Sequence, residues 1–363
     1  MNTPVTTPTF LVMLAVASLL VLAGVLVLRR GRGRLVVVLV AVPLLVINAA
    51  AGTNAYYDYF RTLGAVVGAE PADEVALARL LRRTDRPDQG VFAPVTIPAG
   101  RTGFAARQAL VWVPPAWFAR PRPPLPVIVL LHGTPGSPQD WTDGGRADET
   151  ADAYAAAHGG RAPILVMPDI NGTLDADTEC VDGPAGRVET YLTVDLPEFV
   201  RSTFRTERPG PGWAVAGLSE GGSCAAMLAL RHPGAFATFG DYSGLTGPRL
   251  GETNDDTAST VSGLFGGSAQ EFAAHEPADL LASRRYPGTG GWFEVGSADA
   301  EPFAATRALV PPARRAGIDT CEVVVPGGGH TFDVFSQAFS DSLPWMAARL
   351  GLGPGTDLRC PAG

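Results

Sequence analysis

Phe10 to Leu28 is a run of nineteen residues without a charge, and no other stretch restricts the folding of this chain more. A segment so long and apolar has no polar face to turn to water, and as a helix it reaches across the hydrocarbon of a bilayer. A second run, Leu35 to Ala51, is shorter and contains Pro43. Between them stands RRGRGR, with Arg29, Arg30, Arg32 and Arg34. The positive-inside rule keeps that loop in the cytoplasm, so both outer ends of the hairpin face outward, and so does everything after Ala51. NAYYDYF, Asn54 to Phe60, then supplies aromatic rings of the kind that gather at a membrane surface. A rival reading makes the second run a late signal peptide cut after Ala49-x-Ala51. Either way the rest of the chain is exported.

The exported part bears no basic stripe, and the net charge of -8 argues against nucleic acid as a partner. Its four cysteines, Cys180, Cys224, Cys321 and Cys360, make an even number in a compartment that permits disulfides. None forms a Cys-x-x-Cys pair, so neither a zinc site nor any other metal or cofactor is expected. The expected organisation is a transmembrane hairpin over 1–51, a juxtamembrane connector over 52–90, and an extracytoplasmic domain over 91–363. The connector includes helical EVALARLLRRT, Glu74 to Thr84, followed by turn-forming DRPDQG.

Past residue 90 the chain alternates. Short segments apolar on both faces read as strands: Ala109 to Pro114, Val127 to Leu131, Ile164 to Asp169, Trp213 to Leu218, Phe236 to Asp241, Trp292 to Gly296 and Cys321 to Pro326. Helical patterns separate most of them: Ala147 to Ala157, Val188 to Phe204, Gly221 to Arg231, Glu301 to Ala316 and Thr331 to Leu350. Strands alternating with helices predict an α/β domain with a mostly parallel central sheet.

WAVAGLSEGGSCAAMLALRHP, Trp213 to Pro233, places Ser219 at a strand-to-helix junction. There Gly-x-Ser-x-Gly has a mechanical meaning, because the chain turns so sharply that only small residues fit two positions to either side. Gly217 and Gly221 supply that room. The following helix aims free N–H groups at the serine, which favours developing negative charge. Ser219 is therefore the candidate nucleophile.

A serine hydroxyl needs a base to take its proton and an acid to orient the base. In α/β-hydrolases these follow in the order Ser, Asp or Glu, His, each in a loop after a strand. Of five histidines, His330 in PGGGHTF lies directly after the last strand and is the candidate base. His132 in LLHGTPG reads as structural, His232 as a helix C-cap, and His158 and His275 as solvated. The acid is Asp299, which ends the segment FEVGSAD, with Asp241 and Glu301 as alternatives. Asp299 could equally cap the next helix. The oxyanion donors expected are the N–H groups of Glu220, directly after the serine, and of Thr134 in HGTPG.

LLHGTPGSPQDW, DTECVDGPAGRVETYLTVDLPEFV, AGLSEGGSCAAMLALRHPGAFATFGDYSG and GGGHTFDVF together resemble the family of esterases that includes mycobacterial mycolyltransferases, S-formylglutathione hydrolase and the enterochelin esterases. The resemblance covers about Arg107 to Leu352 and leaves out the hairpin. It implies the α/β-hydrolase fold, Ser219 as nucleophile, His330 as base, and Thr134 with Glu220 as oxyanion donors. Three departures stand out. The mycolyltransferases take their acid from a glutamate further into the following helix, a second cysteine expected soon after Cys180 is absent, and Glu220 replaces the usual Met or Gln. The helix dipole favours an acidic side chain at that position, so the Glu220 carboxylate is expected to be structural and paired with an arginine. Positions along the strands favour the disulfides Cys180–Cys224 and Cys321–Cys360.

The expected activity is an esterase or acyltransferase on an envelope ester, its substrate a lipid or glycolipid. The loops Asn171 to Arg187 and Leu245 to His275 are expected to form the surface above the serine, with VSGLFGG, Val261 to Gly267, meeting an acyl chain. Mycolyltransferase-like transfer to a sugar, an inert hydrolase-fold binding module and a serine peptidase are the alternatives.

Overall fold

The computed structural model describes residues 3–28, 33–66, 75–353 and 360. Arg29, Arg30 and Arg32 of the expected loop, and Glu74 of the expected connector helix, lie outside the described residues. The chain divides into two compact units, one built on the N-terminal helices and one on the sheet.

In the first unit, α1 (Pro8–Leu28) and α2 (Gly33–Tyr57) are both long and apolar enough to cross a membrane, with mean hydropathy 2.9 over Pro8–Val27 and 2.3 over Val36–Tyr57. α2 runs through Pro43 and past the expected end at Ala51. Among the described residues a polar link joins the two helices. Asn48 Nδ2 donates to Ser18 Oγ at 2.8 Å and to Leu44 O at 2.8 Å, so both amide protons have an acceptor within the apolar pair. A short helix, α3 (Leu63–Val66), follows.

The second unit opens with α4 (Leu77–Arg82), shorter than the expected connector helix, and β1 (Val91–Val95). The other strands are β2 (Ala109–Val113), β3 (Val127–Leu131), β4 (Ile164–Met167), a small hairpin of β5 (Asp182–Gly183) and β6 (Gly186–Arg187), β7 (Gly210–Leu218), β8 (Phe236–Tyr242), β9 (Gly290–Gly296) and β10 (Asp319–Val325). Eight of them form one sheet in the order β1-β2-β4-β3-β7-β8-β9-β10. β1 and β2 pair antiparallel, as do β2 and β4, and every later pairing is parallel. Every residue of β2, β3, β4 and β9 is buried, as a sheet covered on both faces requires. All six tryptophans are fully buried within this unit.

Helices α5 (Asp140–Asp143) and α6 (Ala147–Ala157) join β3 to β4. Between β6 and β7 run α7 (Val188–Thr190), a wide turn over Tyr191–Asp195, and α8 (Leu196–Phe204). α9 (Glu220–Arg231) leads from β7 to β8. α10 (Thr257–Leu264) and α11 (Ala269–His275) lie in what reads in the sequence as one long loop, Leu245 to His275, and α12 (Pro277–Ser283) follows it. α13 (Ala300–Arg315) and α14 (Phe332–Arg349) complete the unit. β3 and β7 lie side by side at mid-sheet with Leu131 opposite Gly217. The loops that follow them therefore emerge together at one edge, where parallel sheets place their sites.

Candidate active site

At the end of β7 the backbone folds back sharply. Ser219 has φ +55 and ψ -124, a left-handed conformation that few non-glycine residues adopt. Glycine on each side is a steric necessity. A Cβ on Gly217 would lie 2.1 Å from Gly221 O, and one on Gly221 would lie 2.3 Å from Leu131 O. The turn leaves the half-buried Ser219 side chain beyond the sheet edge, with α9 beginning at the next residue.

His330 Nε2 lies 2.9 Å from Ser219 Oγ, and His330 Nδ1 lies 2.7 Å from Asp299 Oδ2. With the proton on Nδ1, the imidazole donates to the carboxylate and presents a lone pair to the hydroxyl. Asp299 stands at the N-cap of α13, yet its side chain makes no capping bond, so the carboxylate is spent on His330. The two alternative acids are placed elsewhere. Asp241 is buried behind α9 and accepts the N–H of Gly244 at 2.9 Å, and Glu301 accepts from Asn254 N at 2.9 Å.

The loop after β3 packs directly on the serine, since a Cβ on Gly133 would sit 3.0 Å from Ser219 Cβ. That places Thr134 beside Ser219, with the N–H groups of the first turn of α9 opposite. His132 is fully buried; its Nε2 lies 3.2 Å from Asp169 Oδ1, as a structural role requires.

Sequence reasoning missed Asp169 at the end of β4. It accepts from Arg107 N at 2.6 Å, Asn171 N at 3.2 Å and Gly172 N at 2.9 Å, and Arg107 Nη2 reaches its Oδ1 at 2.6 Å. Burial opposes its charge, but the hydrogen bonds from His132 and Arg107 outweigh burial and hold the carboxyl well below the usual range. Arg107 also donates to Gly136 O at 2.8 Å, so one buried carboxylate ties the loop after β4 to the Thr134 loop.

Three expectations need correction. Glu220 meets no arginine: Oε2 contacts Thr134 Oγ1 and Asn171 Nδ2, and Oε1 accepts Glu179 N–H at 3.0 Å. His275 is buried rather than solvated, with Nε2 2.9 Å from Glu189 Oε2. In VSGLFGG, Leu264 joins the core and Phe265 packs against it, because the segment is amphipathic helix instead of open loop. His232 caps α9, as expected, and also contacts Glu189 at 2.6 Å. His158 is half-buried and stacked on Tyr154.

Cys180 is bonded to Cys224 and Cys321 to Cys360, the two pairings expected from position. The first ties the loop after β4 to the second turn of α9, beside Ser219. Among the described residues no group of three or more His, Cys, Asp or Glu side chains is arranged to hold a metal ion.

Residues 105–346 match the family described as "Putative esterase". An uncharacterized protein of Corynebacterium glutamicum is 37% identical over 339 residues, which cover 89% of this chain and 78% of that protein. An esterase of Mycobacterium tuberculosis is 29% identical over 62% of this chain and 52% of its own length, so the chain spans about half of that relative. Among solved structures, an S-formylglutathione hydrolase from Agrobacterium tumefaciens superposes with TM-score 0.59 and 17% identity, over 74% of this chain and 99% of that one, and shares the fold. The family match over two thirds of the sequence, together with the sheet order and the turn at Ser219, carries the conclusion that the chain belongs to the "Putative esterase" family and has the α/β-hydrolase fold.

Proposed function

We propose that this protein is a membrane-anchored serine esterase whose domain over 91–363 acts outside the cytoplasmic membrane on an ester of the cell envelope. The observation that carries the reading is the relay of 2.9 Å and 2.7 Å from Ser219 through His330 to Asp299. In this reading His330 Nε2 removes the Ser219 proton as Oγ attacks the ester carbonyl. Asp299 holds the imidazole in the correct tautomer and stabilises the imidazolium that forms. Negative charge on the carbonyl oxygen is met by the N–H groups of Thr134 and Glu220. His330 then protonates the departing alcohol and activates the acceptor that releases the acyl group.

Residues 1–51 serve as the anchor and 52–90 as the connector. The two long apolar helices support the anchor, and two disulfides support an oxidising location for the enzyme domain. Leu174 favours an apolar acyl group. It is 61% exposed, and its carbonyl accepts Gly136 N–H from the oxyanion loop, so an unpaired apolar side chain borders the site.

The test is full-length protein in detergent with a lipid ester, with and without trehalose or glycerol. Free acid released equally under all conditions is the expected outcome, and acylated sugar formed at its expense would replace hydrolysis by transfer. Ser219→Ala and His330→Ala each remove activity by about ten-thousand-fold, because nucleophile and base act as a unit. Substantial turnover in either variant would refute the assignment.

A further inference from the structure

A carboxylate beside a developing oxyanion should slow the reaction, and Glu220 lies directly after the candidate nucleophile. The hydrogen bonds around it resolve the conflict. Thr134 Oγ1 has one proton and two neighbours that accept it, Ala176 O at 3.0 Å and Glu220 Oε2. Thr134 Oγ1 also accepts from Asn171 Nδ2 at 2.6 Å, and the same amide reaches Glu220 Oε2 at 2.7 Å. Glu220 Oε1 is taken by the N–H of Glu179. If Glu220 is ionised, one hydroxyl proton must serve two acceptors. If Glu220 is neutral, Oε2–H donates to Thr134 Oγ1, which donates to Ala176 O, and each contact has its own proton.

The surroundings agree. Glu220 is buried, and the titratable groups facing it are Asp177 and Glu179 from the loop after β4, both raised by burial, and His132 from the end of β3, which opposes the rise. Arg249 and Glu252, before α10, face the neighbouring acids, and the Arg249 guanidinium is committed to Glu276 at 2.6 Å. Glu179 Oε2 is buried without any hydrogen-bond partner, a costly place for a second full charge. Burial raises Glu220 above its usual range and outweighs the opposing contributions of Thr134, His132, Asn171 and the Glu179 N–H.

We propose that Glu220 is a positioning residue of the oxyanion hole: it keeps its proton, donates it to Thr134 Oγ1, and so holds the Thr134 N–H beside Ser219 until Glu220 ionises. This rests on the reading of Ser219 as nucleophile and Thr134 as oxyanion donor. Loss of the proton frees Thr134 to turn from Ala176 toward the carboxylate and adds a negative charge beside the reacting oxygen.

The experiment follows kcat and KM of the full-length protein for a short p-nitrophenyl ester from about pH 5 to about pH 9. Wild-type kcat is expected to fall about tenfold on the alkaline side with little change in KM, a smaller loss than deleting an oxyanion donor outright. Glu220→Gln lowers kcat at the optimum but has no alkaline fall. Thr134→Ser retains the fall, and Thr134→Val, which cannot accept the proton, lacks it. An alkaline fall that persists in Glu220→Gln, or is absent from wild type, overturns the inference. Labelling by a fluorophosphonate probe separates the two levels. Ser219 labelled in a protein whose pH profile ignores Glu220 sinks only the positioning role, whereas an unlabelled Ser219 in wild type sinks the site assignment with it.

Discussion

Two buried glutamates meet helix α9, one at each end, and the protein treats them in opposite ways. At the C-terminal end Arg231 Nε reaches Glu189 Oε1 at 2.5 Å, His232 Nε2 reaches the same oxygen at 2.6 Å, and His275 Nε2 lies 2.9 Å from Oε2. At the N-terminal end Glu220 meets a hydroxyl, an amide and a peptide N–H, with the carboxyls of Asp177 and Glu179 nearby. The helix dipole alone would favour charge on Glu220 and oppose it on Glu189. The shifts run the other way, Glu220 raised by burial and Glu189 lowered. Burial works against Glu189 as well, but hydrogen bonds from His232, His275 and Arg231 hold it well below the carboxylate range. A dipole worth about 0.3–1 kcal/mol cannot outweigh a desolvation penalty of several kcal/mol per ion, so immediate partners decide which end is charged.

The largest effect should come from removing the charged end. Glu189→Ala strands Arg231 and His275 without their carboxylate and is expected to cost about 3–5 kcal/mol in denaturant unfolding at neutral pH. Because Glu189 is depressed in the fold, its stabilisation is present above the unfolded value near 4.5 and is lost as pH falls below it. The gap between wild type and Glu189→Gln should therefore narrow in acid. A gap that stays constant down to about pH 3 would show that Glu189 is not held as an anion.

At the N-terminal end a covalent link stands where the C-terminal end has ion pairs. Opening Cys180–Cys224, which closes a sequence separation of 44, by the double change Cys180→Ser, Cys224→Ser is expected to cost about 2–4 kcal/mol. The loss should be accompanied by faster hydrogen exchange in the loop after β4 and in the first turns of α9. Equal protection there with and without the bond would remove the disulfide from this account.

The smallest effect is a gain. Burial, the largest cause, pushes Asp177 up to about 7. Below the unfolded value near 3.8 both states hold the proton, and as pH rises to about 7 the unfolded chain releases it first, so stability falls over that window. Asp177→Asn should thus raise stability by about 1–2 kcal/mol at about pH 8 and leave it unchanged at about pH 3. A loss at both pH values would mean that the carboxyl makes a bond the amide cannot replace.

Much of this molecule was legible before its tertiary structure. Val127–Leu131 and Ala147–Ala157 are found at the expected boundaries, because continuous apolar runs and helical periodicity are local signals. The turn at Ser219 was legible from its spacing, since the Gly217 Cβ would clash with Gly221 across the turn, while the Gly221 Cβ would meet the adjoining strand. β1 was missed because Pro94 interrupts the pattern, a residue that an edge strand tolerates and a central one does not. α10, α11 and α12 were missed because helices of only two turns take their stability from packing more than from propensity.

The sequence by itself determined the apolar hairpin, the alternation that makes a covered parallel sheet, and a serine on a turn too tight for anything but glycine beside it. Each follows from bonding geometry or hydropathy within a few residues. Tertiary structure decided which of three acids meets His330, that Asp169 and Arg107 brace the loop after β3, and that Glu189 is held by cationic partners while Glu220 has other acids nearby. Those outcomes depend on groups 31 to 86 residues apart brought within hydrogen-bond distance in a medium that cannot solvate an unpaired charge. Such a medium exists only once the chain has closed around them.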